Sequence, residues 1–265
     1  MIIADMASTG KESTYCMGDD IPLAVLSSKP HTLYNYFKQR FAQVTNPPID
    51  PLREGTVMSL KVSLGRKGNI LEPKEEKARL LRLESPLLNS AELDLVMGAA
   101  KFPSRPLSTV YPLSDGPQGL QAAVERLCKE AAKAVREGAE ILLLSDRLGS
   151  DLEGEMTYIP PLLAVGAVHH RLIEEGLRMR ASLVVETGQA WNTHQFACLI
   201  GYGASTIHPY LALQAVRDWH GEKRTQVQME SGVLPKITRE KALENYREAN
   251  EAGLLKVMSK MGISL

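Results

Sequence analysis

From Ser108 onward the apolar positions switch repeatedly between a short extended run and a helical period. Ser108-Thr-Val-Tyr-Pro-Leu113 is β-branched and aromatic and predicts a strand. Ser114 and Asp115 then offer capping oxygens, with Pro117 just inside a helix. Leu120, Ala123, Val124, Leu127, Ala131, Ala134 and Val135 recur at three and four, giving that helix one apolar face down to Gly138. Ala139 to Leu144 is continuously apolar apart from Glu140 and ends at Ser145-Asp146, the pattern of a strand covered on both faces of a parallel sheet. The cycle repeats. Pro160 and Pro161 open a helix through Leu163, Val165, Val168, Leu172 and Ile173, closed by Gly176. Ser182 to Val185 reads as a buried strand, Asn192 or Thr193 caps a helix through Phe196, Leu199 and Ile200, Ala204 to Ile207 reads as a fourth strand, and Tyr210 to Trp219 as a fourth helix. Four strand–helix units in succession predict a parallel α/β architecture. A complete eight-unit barrel takes about 250 residues, and eight units cannot be counted here. The expected fold class is therefore α/β, an incomplete, barrel-like (β/α) domain.

The flanks read differently. Residues 31–43 predict a helix with Leu33, Tyr36, Phe37 and Phe41 on one side. It stops at Thr45-Asn46-Pro47-Pro48-Ile49-Asp50-Pro51, where three prolines forbid helix and stiffen the backbone. Residues 66–84 carry charges of both signs and read as a solvated surface segment. A polar helix is expected from near Thr238, with Leu243, Tyr246 and Leu254 among its apolar positions. The chain then runs from Leu255 to Leu265 as an apolar stretch with no polar tail, so a piece of a longer chain is expected.

Composition narrows the partners. The 265 residues include 31 basic and 31 acidic side chains, so the electrostatic footprint of a nucleic-acid-binding protein is missing. No apolar run approaches the roughly 20 residues of a membrane span. Met1-Ile-Ile-Ala-Asp5 lacks the basic flank and apolar core of a secretory signal. Cys16, Cys128 and Cys198 form no CxxC pair, which argues for a reducing compartment with free thiols.

In parallel α/β folds chemistry gathers at the carboxyl ends of strands, and Asp146, Glu186, Thr187 and His208 fall there. Glu186, beside Gly188, is a candidate general base or metal ligand; the competing reading is a carboxylate tied to amides or arginines of a neighbouring loop. His169 and His170 are adjacent on a helix and point about 100° apart, so one faces inward and the other solvent rather than both holding one ion. Gly201-Tyr-Gly203 lies on the helix-to-strand side, where glycine ends a helix, not at the strand-to-helix turn that cradles phosphate. Cys198, between Ala197 and Leu199, reads as a buried core residue. These residues define no complete catalytic constellation. They leave open a self-sufficient barrel enzyme working through Glu186 and Asp146, or an interaction module.

Several strings together resemble one family. Met17-Gly-Asp-Asp-Ile-Pro-Leu-Ala-Val-Leu-Ser27, the run from Tyr34 to Glu54, Leu83-Glu-Ser-Pro-Leu-Leu88, Glu186-Thr-Gly188, His194-Gln-Phe196, Gly201-Tyr-Gly-Ala-Ser205 with Pro209-Tyr-Leu211, and Leu255 to Ser264 are similar to the central domain of glutamate synthase. The wording of residues 6–27 is nearest the ferredoxin-dependent type. The resemblance implies a multidomain parent that makes two glutamate from glutamine, 2-oxoglutarate and reductant. An amidotransferase domain frees ammonia, and an FMN-binding barrel fed by an iron–sulfur cluster uses it. The central domain joins the two and is a rudimentary relative of the FMN barrel. It implies residues 1–254 as central domain and 255–265 as lead-in to the FMN domain, with a cytoplasmic or plastid stromal location. FMN and the cluster belong to the parent. No catalytic, cofactor or metal ligand is assigned in this segment, because Cys16 is not N-terminal and no closely spaced cysteines occur. The stiff loop with Thr45, Asn46 and Asp50 becomes the candidate wall of the ammonia passage.

Overall fold

The computed structural model describes residues 2–13, 22–38, 49–50, 52–69, 71–72, 75–147 and 155–263. The strands are β1 (Val62–Leu64), β2 (Leu81–Leu83), β3 (Ser104–Ser108), β4 (Val110–Pro112), β5 (Ile141–Ser145), β6 (Met156–Tyr158), β7 (Ser182–Glu186) and β8 (Thr206–His208). The helices are α1 (Ile2–Thr9), α2 (Glu54–Val57), α3 (Ser90–Met97), α4 (Gly116–Arg136), α5 (Pro161–Glu174), α6 (Thr193–Gly201), α7 (Tyr210–Gly221), α8 (Lys223–Glu230) and α9 (Arg239–Met261). The chain divides into two compact units. One comprises Lys61–Gln189 with Cys198–Tyr210; the other comprises Met1–Leu60, Ala190–Ala197 and Leu211–Leu265.

The first unit is built on a sheet in the order β3-β5-β7-β8, parallel at every junction. It does not close into a barrel. β5 and β7 lie inside the sheet and are apolar almost throughout, with Ile141, Leu142, Leu144, Leu183, Val184 and Val185 no more than 2% exposed. Burial on both faces is why their sequence is continuous rather than alternating. α4 lays Ala123, Leu127, Ala131 and Val135 inward along one stripe. Leu64, Leu88, Leu93, Val96 and Phe102 pack with Ile141, Leu143 and Val184 into one core cluster.

The first strand departs from the expectation. The run 108–113 is not the sheet's opening strand. β3 precedes it at Ser104–Ser108, while Val110–Pro112 forms β4 and pairs antiparallel with β6. Pro106 hides β3 from a propensity reading, yet β3 is an edge strand, where a residue without N–H is tolerated. The charged stretch 66–84 likewise contains structure, because Leu81 to Leu83 form β2 and pair antiparallel with β1.

In the second unit α1 packs on α9, and Asn245 Nδ2 donates to the Ala7 carbonyl at 3.0 Å. Thr238 caps α9 by accepting from the Lys241 N–H at 3.2 Å, so the helix begins where its sequence predicts. The helix expected over 31–43 is instead a 3₁₀ turn at Leu33–Phe37. Its tighter winding turns Tyr34 inward to 1% exposure and leaves Leu33, Tyr36 and Phe37 outward, the reverse of the face expected. Phe41 lies outside the described residues.

Candidate functional site at the carboxyl edge of the sheet

Pairing aligns the ends of three strands. Ser145 lies opposite Glu186, and Glu186 opposite His208, so residues distant in sequence arrive side by side. Glu186 Oε2 accepts the Ser145 hydroxyl at 2.6 Å, and its Oε1 lies 3.5 Å from Arg147 Nη1 and 3.9 Å from His208 Nε2. His208 is 1% exposed, and its Nδ1 lies 3.0 Å from the Leu88 carbonyl. A carbonyl only accepts, so Nδ1 carries a proton and donates it to the Leu88 carbonyl.

Asp146 follows β5 and is 6% exposed. Its Oδ1 accepts the Gly188 N–H at 3.0 Å and its Oδ2 accepts the Thr187 hydroxyl at 2.5 Å, with the Tyr210 hydroxyl as a further donor. Burial nevertheless raises its pKa above the ordinary 3.8, because desolvation of the ion exceeds what those donors return. The Tyr210 phenol is pushed up, first by burial and then by the Asp146 charge, and the Arg147 guanidinium sits 5.4 Å over its ring. Together with Leu144, Val185, Pro161 and Ala164, the two carboxylates line a partly open gap of about 10 Å³, room for roughly one water molecule.

Asp146, Glu186, Thr187 and His208, placed at strand ends by their sequence, all belong to this cluster. Glu186 is tied to a neighbouring arginine and a serine. Sequence reasoning missed Ser145, Arg147 and Tyr210. The first two flank Asp146 and needed only the strand register; Tyr210 reaches Asp146 across 64 positions and carries no local signal. Thr45 and Asn46 lie outside the described residues. Asp50 serves a local turn, its Oδ1 accepting the Leu52 and Arg53 N–H groups at 3.0 Å each, with the Arg53 guanidinium 3.2 Å away.

His169 Nδ1 accepts from Arg178 Nε at 2.9 Å, and burial followed by the Arg178 charge lowers its pKa, while His170 is exposed. Gly203 holds φ +113° and its carbonyl accepts from Arg178 Nη2 at 2.9 Å, so the glycine pair ends α6. Cys198 is only partly buried, not the core residue its sequence suggests, yet desolvation pushes its thiol up to about 11; the buried Cys128 is raised for the same reason. Among the described residues no three His, Cys, Asp or Glu side chains are grouped to hold a metal ion. At the strand ends the Thr187 and Gly188 donors are engaged by Asp146.

Fold and site define an α/β domain of barrel-like strand–helix units whose strand ends carry buried, hydrogen-bonded carboxylates. Residues 1–265 match the family described as glutamate synthase central domain, and the chain belongs to that family. It is 58% identical over 266 residues to ferredoxin-dependent glutamate synthase 2 of Synechocystis sp., covering all of this chain and 17% of that protein. It is 52% identical to ferredoxin-dependent glutamate synthase of Pyropia yezoensis and 55% identical to the chloroplastic enzyme of Oryza sativa subsp. japonica, covering 17% and 16% of them. The chain thus spans about one sixth of the length of the curated relatives it matches. Among solved structures, flavocytochrome b2 with benzoylformate aligns over 66% of this chain and 35% of its own at 16% identity and a TM-score of 0.37, which does not define the fold. Among the described residues no helix is long and apolar enough to cross a membrane.

Proposed function

We propose that this chain is the non-catalytic linking domain of a ferredoxin-dependent glutamate synthase, set between an amidotransferase domain and an FMN-binding barrel. The parent makes two glutamate from glutamine, 2-oxoglutarate and reductant in the cytoplasm or plastid stroma, with FMN and an iron–sulfur cluster held outside this segment. Residues 255–265 lead toward the FMN domain, and the loop carrying Thr45, Asn46 and Asp50 helps wall the ammonia passage. The observation that supports the non-catalytic reading is that the strand-end carboxylates are engaged within the chain. A barrel enzyme working through Glu186 and Asp146 needs room for a substrate beside them, whereas Glu186 is held by Ser145 and Arg147, Asp146 by Thr187 and Gly188, and the gap they line is about 10 Å³.

Titrating the chain with FMN, 2-oxoglutarate and glutamine separately in a calorimeter tests this reading. No heat above dilution is expected from any of them. Micromolar FMN binding would return a catalytic role to the strand ends. The passage is tested in the parent enzyme by replacing Thr45 and counting glutamine consumed per glutamine-derived nitrogen incorporated. Leakage of ammonia is expected to raise that ratio, and an unchanged ratio removes the loop from the passage.

A further inference from the structure

The carboxyl edge of a parallel sheet is where folds of this class hold ligands, because loops from successive strands aim their side chains and amides there. In this chain three donors converge on one position. The Thr187 hydroxyl and the Gly188 N–H come from the turn after β7, and the Tyr210 phenol from the start of α7 after β8. The group they enclose is the Asp146 carboxylate, brought in from β5.

We propose that Thr187, Gly188 and Tyr210 form a carboxylate-binding seat, and that Asp146 is its internal ligand, closing an edge that would otherwise take a small carboxylate anion.

The contacts treat Asp146 as a ligand would be treated. Each carboxylate oxygen has its own donor, Gly188 N–H on Oδ1 at 3.0 Å and Thr187 Oγ1 on Oδ2, with the Gly188 N–H shared to Oδ2 at 3.2 Å. That is two-oxygen recognition of a planar anion. Thr187 is also held in place without Asp146. The Thr187 N–H bonds the His208 carbonyl at 3.1 Å, and the Thr187 oxygen accepts the Gln189 N–H at 3.0 Å, which aims its proton away from the turn. The Tyr210 ring lies 5.4 Å from the Arg147 guanidinium. A seat prepared in this way keeps its shape when the side chain that fills it is removed. The void already present beside Asp146 adds to the space its carboxyl would leave. This inference concerns the unit of residues 61–189 and 198–210 alone and does not rest on the linking role.

Chemical rescue tests it. In the full chain, Asp146→Ala removes the carboxylate and leaves the donors. Thermal unfolding is followed in sodium formate, sodium acetate and sodium chloride at equal ionic strength. Formate is expected to raise the midpoint of Asp146→Ala by about 3 °C beyond chloride. The unsubstituted chain, whose seat is taken, is expected to show no formate-specific rise, and adding Thr187→Val to Asp146→Ala is expected to abolish it. Equal midpoints in formate and chloride for Asp146→Ala, or an equal formate response in the unsubstituted chain, would overturn the proposal. Should Asp146→Ala not fold unaided, refolding it in formate must yield more folded chain than refolding in chloride, and equal yields overturn the proposal as well.

Discussion

Asp146 and Glu186, neighbours at the end of the sheet, are accommodated by different partners. Glu186 has the Ser145 hydroxyl and a nearby arginine, whereas Asp146 has uncharged donors in a buried setting. The titratable groups around Asp146 are Glu186, Tyr158 and Tyr210, with Arg147 over the Tyr210 ring. Because burial raises the folded pKa of Asp146 above its unfolded value, its contribution is fully present below the ordinary carboxylate range. That contribution is lost as pH rises through the folded pKa. Asp146→Asn cannot titrate. The stability of the unsubstituted chain minus that of Asp146→Asn is therefore expected to fall as pH climbs from about 4 through the weakly acidic range. Urea unfolding at stepped pH measures it, and a difference that grows with pH would show the donors outweighing burial. Gly203 offers a second residue-scale test. At φ +113° a Cβ would strike the His169 ring, which Arg178 holds in place. Gly203→Ala should cost about 2 kcal/mol, read from the denaturant midpoint.

Elements were legible in proportion to how completely their own residues decide them. β5 and β7 announce themselves because burial on both faces demands unbroken apolar runs, and α4 because one stripe of small and branched residues meets the sheet. β3 was not legible, since its edge position forgives Pro106 and its exposed residues carry no pattern. The 3₁₀ turn at Leu33–Phe37 was misread because its length, and hence its period, is not written in its apolar residues. α9 was legible at its start and not along its length. It buries Asn245, Asn250 and Ser259 among its apolar positions, and their side chains donate to backbone carbonyls, as when Asn250 Nδ2 donates to the Tyr246 carbonyl at 2.8 Å. Two substitutions apportion its support. Thr238→Ala should cost about 1 kcal/mol through the lost cap. Tyr246→Phe should cost about as much by removing the phenol that donates to the Trp191 carbonyl at 3.0 Å. Both are read by thermal unfolding, and a neutral Tyr246→Phe would mean the carbonyl finds water instead.

At the scale of the whole molecule, the sheet's carboxyl edge was partly legible, because the alternation of strand and helix fixes which residues follow each strand. Its closure was not, because it depends on partners 41 and 42 positions from Asp146, and on Tyr210 beyond them. Hydrogen exchange should display the same hierarchy. Amides of β5 and β7 should exchange slowest in their unit, since protection follows burial and backbone pairing. The other unit is assembled from three separate stretches, and Asn245 reaches the Ala7 carbonyl over 238 positions. This separation has a consequence for biosynthesis. α1 leaves the ribosome well before α9, so Ile3, Met6 and Ala7 wait for the helix that packs on them. At translation rates of about 5–20 residues per second, that wait lasts roughly 10 to 50 seconds. Nascent chains stalled before residue 239 should therefore be bound by chaperones at α1, and chains extended past residue 261 should not.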